Sequence, residues 1–202
     1  RMSRGLGDVY KRQGDGLLHW STQTAMKAFL YADAAKTMDA AVHALSVFAE
    51  KSGPHGMLGG QSVDVLFTGK HPEKERLDYI YRLKTCALIE ASMMMGAILA
   101  GAGNESVAQF EDIGRSVGMA FQIQDDILDC TGDAALLGKP LNSDEKNGKT
   151  TYVTLFGIDT ARAEVERLSE NARHTLENVD SADENEKKFL LWLIESLVKR
   201  MY

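Results

Sequence analysis

The chain has 202 residues, 44% hydrophobic and 26% charged, with a formal net charge of -6. That length supports one domain with a substantial core, and the hydrophobic share excludes a disordered chain. The acidic balance excludes a nucleic-acid binder built on a basic footprint, whereas a phosphorylated substrate stays admissible, because a few local lysines or a divalent cation override net charge.

Residues 1–13 carry four arginines and lysines, little apolar content and no period. They are expected to be an unstructured or non-native leader. From Asp15 onward helical patterns follow one another. Residues 17–31 are apolar-rich. Residues 34–51 place Met38, Val42, Leu45 and Phe48 at helical spacing. Ser52, Gly53 and Pro54 stop that helix. A third helix is expected from about Met57 to Gly69. Pro72 fits a first helical position, with Glu73 and Glu75 near the positive end. A stripe of Leu77, Ile80, Lys84, Leu88, Ala91, Met95 and Ile98 follows. Gly101 and Gly103 close this helix, and Asn104 can cap the next, which runs through Val107, Phe110, Ile113, Val117 and Phe121. Residues 130–150 form a long polar loop, a feature often functional inside compact domains. A short segment at 152–156 and helices over about 160–179 and 184–199 complete the chain. The class is an all-α bundle in a single domain.

The most apolar run, residues 91–102, is too short to span a bilayer, and Glu90 sits at its edge. With no signal peptide in view, a soluble, cytoplasmic protein is expected. Cys86 and Cys130 are isolated in helical patterns and form neither a metal spacing nor a disulfide framework, so a reducing compartment is the default and both read as structural thiols. The five histidines show no ligand spacing, and Met93, Met94 and Met95 read as core filler.

The sharpest feature is the segment Phe121-Gln122-Ile123-Gln124-Asp125-Asp126-Ile127-Leu128-Asp129. On a helix, Gln122, Asp125, Asp126 and Asp129 fall within an arc of about 100°. Three converging carboxylates repel one another unless a cation is present, and hard oxygen ligands in small number suit Mg²⁺. A solvated acidic face explains the same spacing equally well. Lys84-Thr85 sits in an otherwise apolar helix, and Lys139 and Lys149 lie in the polar loop. Ammonium groups act as point charges toward phosphate; snorkelling or solvent-facing lysines are the plainer alternative, least so for Lys84. In the segment Gly56-Met57-Leu58-Gly59-Gly60-Gln61-Ser62-Val63-Asp64, adjacent glycines permit a close helix approach. Gln61 and Asp64 share a face there, with an interhelical or capping hydrogen bond as the ordinary explanation.

Taken in order, these motifs resemble the polyprenyl synthetase family, which includes farnesyl and geranylgeranyl diphosphate synthases. The match runs through Gly14-Asp15-Gly16-Leu17-Leu18, Gly59-Gly60-Gln61-Ser62-Val63-Asp64, Lys84-Thr85, the acidic segment, Gly138-Lys139 and Gly148-Lys149-Thr150-Thr151-Tyr152. It covers nearly all of residues 14–202. The resemblance implies an isoprenoid synthase-like helical bundle around a central cavity. It also implies a prenyltransferase that condenses isopentenyl diphosphate with an allylic diphosphate. Asp125, Asp126 and Asp129 then match the motif that holds Mg²⁺ against the allylic diphosphate. Lys84, Lys139 and Lys149 match diphosphate-binding residues, with Gln61 beside them. Thr85 and Gln122 match residues facing the allylic cation. The metal withdraws electrons from the leaving group, preorganised oxygens face the cation, and apolar faces exclude water.

The departures are specific. The family carries a first aspartate-rich motif upstream of the segment matching Gly14–Leu18, and nothing like it stands here. Val153 occupies a position where the family often has proline. The expectation is a family member lacking its N-terminal helices, impaired when alone and self-associating as a homo-oligomer. Two other readings fit less of the pattern. One is a non-catalytic helical subunit that modulates a complete synthase; the other is a terpene cyclase-like protein.

Overall fold

The computed structural model describes residues 3–132, 148–180 and 183–198, with residues 3–11 described by backbone alone. Every element among them is helical, the all-α class expected. Helix α1 spans Ser3–Ala25 and runs into a short 3₁₀ turn at Met26–Leu30. Residues 3–13, expected to belong to an unstructured or non-native leader, are helical within α1, and Gly14 is no break in secondary structure. Helices α2 (Ala35–Ser52) and α3 (Met57–Phe67) follow. Helix α4 (Lys74–Tyr81) continues through one turn of π-helix, Arg82–Cys86, into α5 (Ala87–Leu99). The long helix α6 is Asn104–Thr131. Beyond the loop come α7 (Tyr152–Phe156), α8 (Ile158–Glu177) and α9 (Glu184–Val198).

Helix α6 is the axis of the bundle, flanked by α5 and α8, with α2 on the outer side of α5 and α9 against α8. Ile113, Val117, Ala120 and Ile123 along α6 are 0% exposed, so apolar neighbours surround this helix through its middle. Close contact is set by small residues. A Cβ on Gly118 would lie 2.7 Å from the Cα of Cys86. No side chain larger than hydrogen fits where α6 crosses the end of the π turn.

Three local expectations differ from the structure. In α2 the buried apolar residues are Ala41, Ala44 and Val47, while Met38 and Val42 are exposed. The apolar residues of α2 cover more than one face, and the face bearing the small alanines is the one that packs near α5. Pro72 does not open α4, because Glu73 is the cap residue and Lys74 the first in the helix. Pro72 and Leu77 are instead both buried, at the two positions of a hydrophobic staple. Asn104 does not cap α6; Gly103 holds the cap position and no side chain bonds there.

Candidate active site

Lysine 84 lies within the π turn that joins α4 to α5. One-turn π insertions widen a helix locally and are common at functional sites. The turn sits against α3 at Gly60, where an added Cβ would come within 2.3 Å of the Lys84 backbone nitrogen. The glycine pair is thus a close-approach device, and it brings Asp64, one turn further along α3, to Lys84. The Lys84 Nζ donates to Asp64 Oδ2 at 2.6 Å. Lys149 Nζ reaches the same oxygen at 3.5 Å.

Backbone contacts hold Lys149 there. The amide of Gly69 donates to the carbonyl of Gly148 at 2.9 Å, and Gly148 has φ 66°, a backbone conformation that disfavours side chains. Thr150 Oγ1 donates to the Lys70 carbonyl at 3.2 Å. Thr151 then caps α7, its hydroxyl accepting from the Thr154 amide while Thr154 Oγ1 accepts from the Thr151 amide. The end of the polar loop is fastened on one side to the turn that follows α3 and on the other to its own helix start.

The acidic segment is the last third of α6. Asp126 and Asp129 are each 2% exposed and Asp125 is half-buried. That burial rules out a solvated acidic face, because carboxylates are rarely so buried without partners. Asp126 is engaged through both oxygens. Its Oδ2 accepts from Tyr81 Oη at 2.5 Å and from the Tyr152 amide at 2.8 Å, and its Oδ1 accepts from Gln122 Nε2 at 3.4 Å. On the helical wheel Asp125 and Asp126 stand at opposite ends of the arc of about 100°. Asp126 is the end turned toward α4 and α7. Thr85 Oγ1 donates to Gln122 Oε1 at 2.7 Å, joining the π turn to α6.

A cleft lined by Asp64, Ile80, Tyr81, Lys84, Gln122, Asp126 and residues 149–151 gathers much of this set. Lys84, Lys149, Gln122 and Asp126 all line this cleft, with Thr85 bonded to Gln122. Gln61 is exposed on α3 and outside the cleft lining, and Lys139 lies outside the described residues. Asp64 and Tyr81 were not singled out as site residues by the sequence. The Gln61–Asp64 spacing on one helix face hinted at Asp64, but partners 20 and 85 residues away leave no local signal.

Among the described residues no group of three His, Cys, Asp or Glu side chains forms a metal cage. Asp126 is committed to Tyr81 and the α7 amide. Asp125 and Asp129 present carboxylates four residues apart, and Mg²⁺ takes one or two carboxylates with water and phosphate oxygens. That donor set fits Mg²⁺ arriving with a diphosphate. The nearby Cys86 thiol is fully buried, and burial first, then the charge of Glu90, pushes its pKa up to about 12. It reads as packing against Gly118, as an inert thiol does.

A family model described as polyprenyl synthetase matches residues 13–189. The chain is 42% identical over 136 residues to farnesyl diphosphate synthase of Escherichia coli (strain K12), covering 67% of this chain and 46% of that protein. It is 35% identical over 175 residues to the chloroplastic geranylgeranyl pyrophosphate synthase of Capsicum annuum, covering 86% and 46%. The chain thus spans about half the length of the curated relatives it matches. Among solved structures, a geranyltransferase from Helicobacter pylori, complexed with magnesium and isoprenyl diphosphate, superposes with a TM-score of 0.77 at 27% identity. It covers 93% of this chain and 59% of that one. The geranylgeranyl pyrophosphate synthetase of Pyrococcus horikoshii gives 0.70 at 27% identity, covering 80% and 60%.

Proposed function

The chain belongs to the polyprenyl synthetase family, and from that premise we propose that its cleft binds the diphosphate of an allylic substrate for prenyl transfer to isopentenyl diphosphate. The observation that carries this reading is the convergence of Lys84 and Lys149 on one point beside the buried carboxylates of α6. Two ammonium groups from separate elements, held within reach of one oxygen, match the charge of a diphosphate.

The residues divide the work by position. Lys84 and Lys149 bind and orient the diphosphate. Asp125 and Asp129 would hold Mg²⁺, which supplies Lewis-acid stabilisation of charge on the departing diphosphate oxygens. Asp126 keeps α4, α6 and α7 in register. The Thr85 hydroxyl donates its proton to Gln122, which leaves its oxygen lone pairs to face positive charge developing on the allylic carbon. Apolar residues of the bundle exclude water from that carbon.

No helix among the described residues is long and apolar enough to cross a membrane. The two free cysteines suit a reducing, cytoplasmic compartment. Leu17 and Trp20 are each 63% exposed. Apolar surface of that kind favours association with a second copy, and a strictly monomeric species in sedimentation at micromolar concentration would rule this out.

Calorimetry with a non-hydrolysable farnesyl diphosphate analogue tests the central reading. Binding is expected to require Mg²⁺ and to be lost in Asp125→Ala and in Lys84→Ala. Equal binding in both variants and the parent chain would remove the assignment.

A further inference from the structure

We propose that Asp64 is an anionic placeholder for diphosphate, a positioning residue that holds Lys84 and Lys149 converged while the cleft is empty and hastens diphosphate departure. The inference rests on the reading that these two lysines bind diphosphate. Its own evidence is that a single carboxylate oxygen, Asp64 Oδ2, lies 2.6 Å from Lys84 Nζ and 3.5 Å from Lys149 Nζ. The Asp64 side chain is 17% exposed, whereas the lysines are 31% and 35% exposed. The Asp64 side chain is therefore the most buried of the three.

Three consequences follow from charge alone. Two ammonium groups this close repel each other, and a shared anion cancels that repulsion and fixes where both point. An arriving diphosphate must take the same two groups from Asp64 and then lie beside a carboxylate of its own sign. Its affinity is thereby lowered, because part of the lysines' attraction is already spent on an internal partner. When inorganic diphosphate leaves after transfer, Asp64 is in place to retake both ammonium groups, so the lysines need not be stripped of a partner at the moment of release. Gly60 makes this possible, since only a side-chain-free residue lets α3 carry Asp64 so near the π turn.

The test is binding of inorganic diphosphate in the presence of Mg²⁺, by calorimetry, to the parent chain, Asp64→Asn, Asp64→Glu and Lys84→Met, with folding checked by circular dichroism. Asp64→Asn is expected to bind about tenfold more tightly. Asp64→Glu, which keeps the charge, is expected to stay near the parent value. The gain is expected to shrink in Asp64→Asn combined with Lys84→Met, because Asp64 acts through the lysines. Unchanged or weaker binding by a folded Asp64→Asn, with parent binding lost in Lys84→Met, would overturn the placeholder alone. So would an Asp64→Asn that fails to fold while Asp64→Glu folds, since Asp64 would then be a structural ion pair. Absence of diphosphate binding by the parent chain would remove the underlying reading and the placeholder with it.

Discussion

Asp126 illustrates how a carboxylate of the acidic segment can serve as scaffold. Its acceptors are taken by the Tyr81 hydroxyl and the Tyr152 amide, groups 45 and 26 residues away in sequence. Both donors are buried with it, so loss of a partner leaves polar groups that water cannot reach. Tyr81→Phe removes one charge-assisted hydrogen bond without changing the ring, and the expected loss is about 1–3 kcal/mol. The urea midpoint should fall with an unchanged slope; an unaltered midpoint would show that the Tyr81 bond contributes nothing. The acidic spacing was legible in the sequence, as was the polar oddity of Lys84 in an apolar stripe. Which carboxylate points at which neighbour was not, because the arc of about 100° holds all three and only the packing of α4 and α7 distinguishes its two ends.

At the scale of elements, glycine positions separate packing devices from ordinary exposed sites. Gly60 stands where α3 meets the π turn, and an added Cβ would sit 2.3 Å from Lys84 N and 2.7 Å from the carbonyl carbon of Leu83. Both are backbone atoms and cannot rotate away. Gly60→Ala is expected to cost about 1–3 kcal/mol through forced separation of the two elements, and to weaken diphosphate binding by displacing Lys84. Gly96 in α5 is exposed, with nothing within 4 Å of an added Cβ. Gly96→Ala is expected to stabilise by about 0.5–1 kcal/mol through helix propensity. Opposite signs in thermal denaturation would confirm the contrast, and a tolerated Gly60→Ala would show that α3 and the π turn can part freely. The adjacent glycines announced a close approach in the sequence. The π turn itself left no mark there, since the residues Arg82–Cys86 are compatible with an ordinary α-helix and the extra residue is accommodated by tertiary packing.

Across the whole molecule, a charge cluster ties α2, α5 and α6 together away from the cleft. Lys51 pairs with the 1%-exposed Glu90 and, at 2.6 Å, with Glu111, while Arg115 reaches Glu90 at 3.2 Å. Burial lowers the Lys51 pKa, but hydrogen bonds and charge from Glu111 and Glu90 outweigh it and leave the pKa raised above 10.5. Burial likewise opposes ionisation of Glu111, and Lys51 with Arg115 overcomes it, holding that carboxyl below 4.5. The signs are then fixed by linkage. The Glu111 contribution is present above pH 4.5 and lost as pH falls through its depressed folded value. The Lys51 contribution is complete below pH 10.5 and lost as pH rises through its raised folded value. Melting temperature should therefore fall on both flanks, and Lys51→Met should flatten the alkaline flank. An alkaline flank identical in parent and Lys51→Met would show that this lysine does not contribute there.

The sequence by itself determined the helical class, most helix boundaries within a few residues, and the motif order that marks the family, because periodicity, stop signals and charge in an apolar stripe are local properties of a chain. Tertiary structure decided the rest. It chose Ala41 and Ala44 over Met38 and Val42 as the inner face of α2, since the closest helix contact goes to the smallest side chains. It turned Asp126 inward to Tyr81 and set Asp64 between two lysines. Contacts spanning 20 to 85 residues are set by where whole helices cross, and no window of sequence contains both partners.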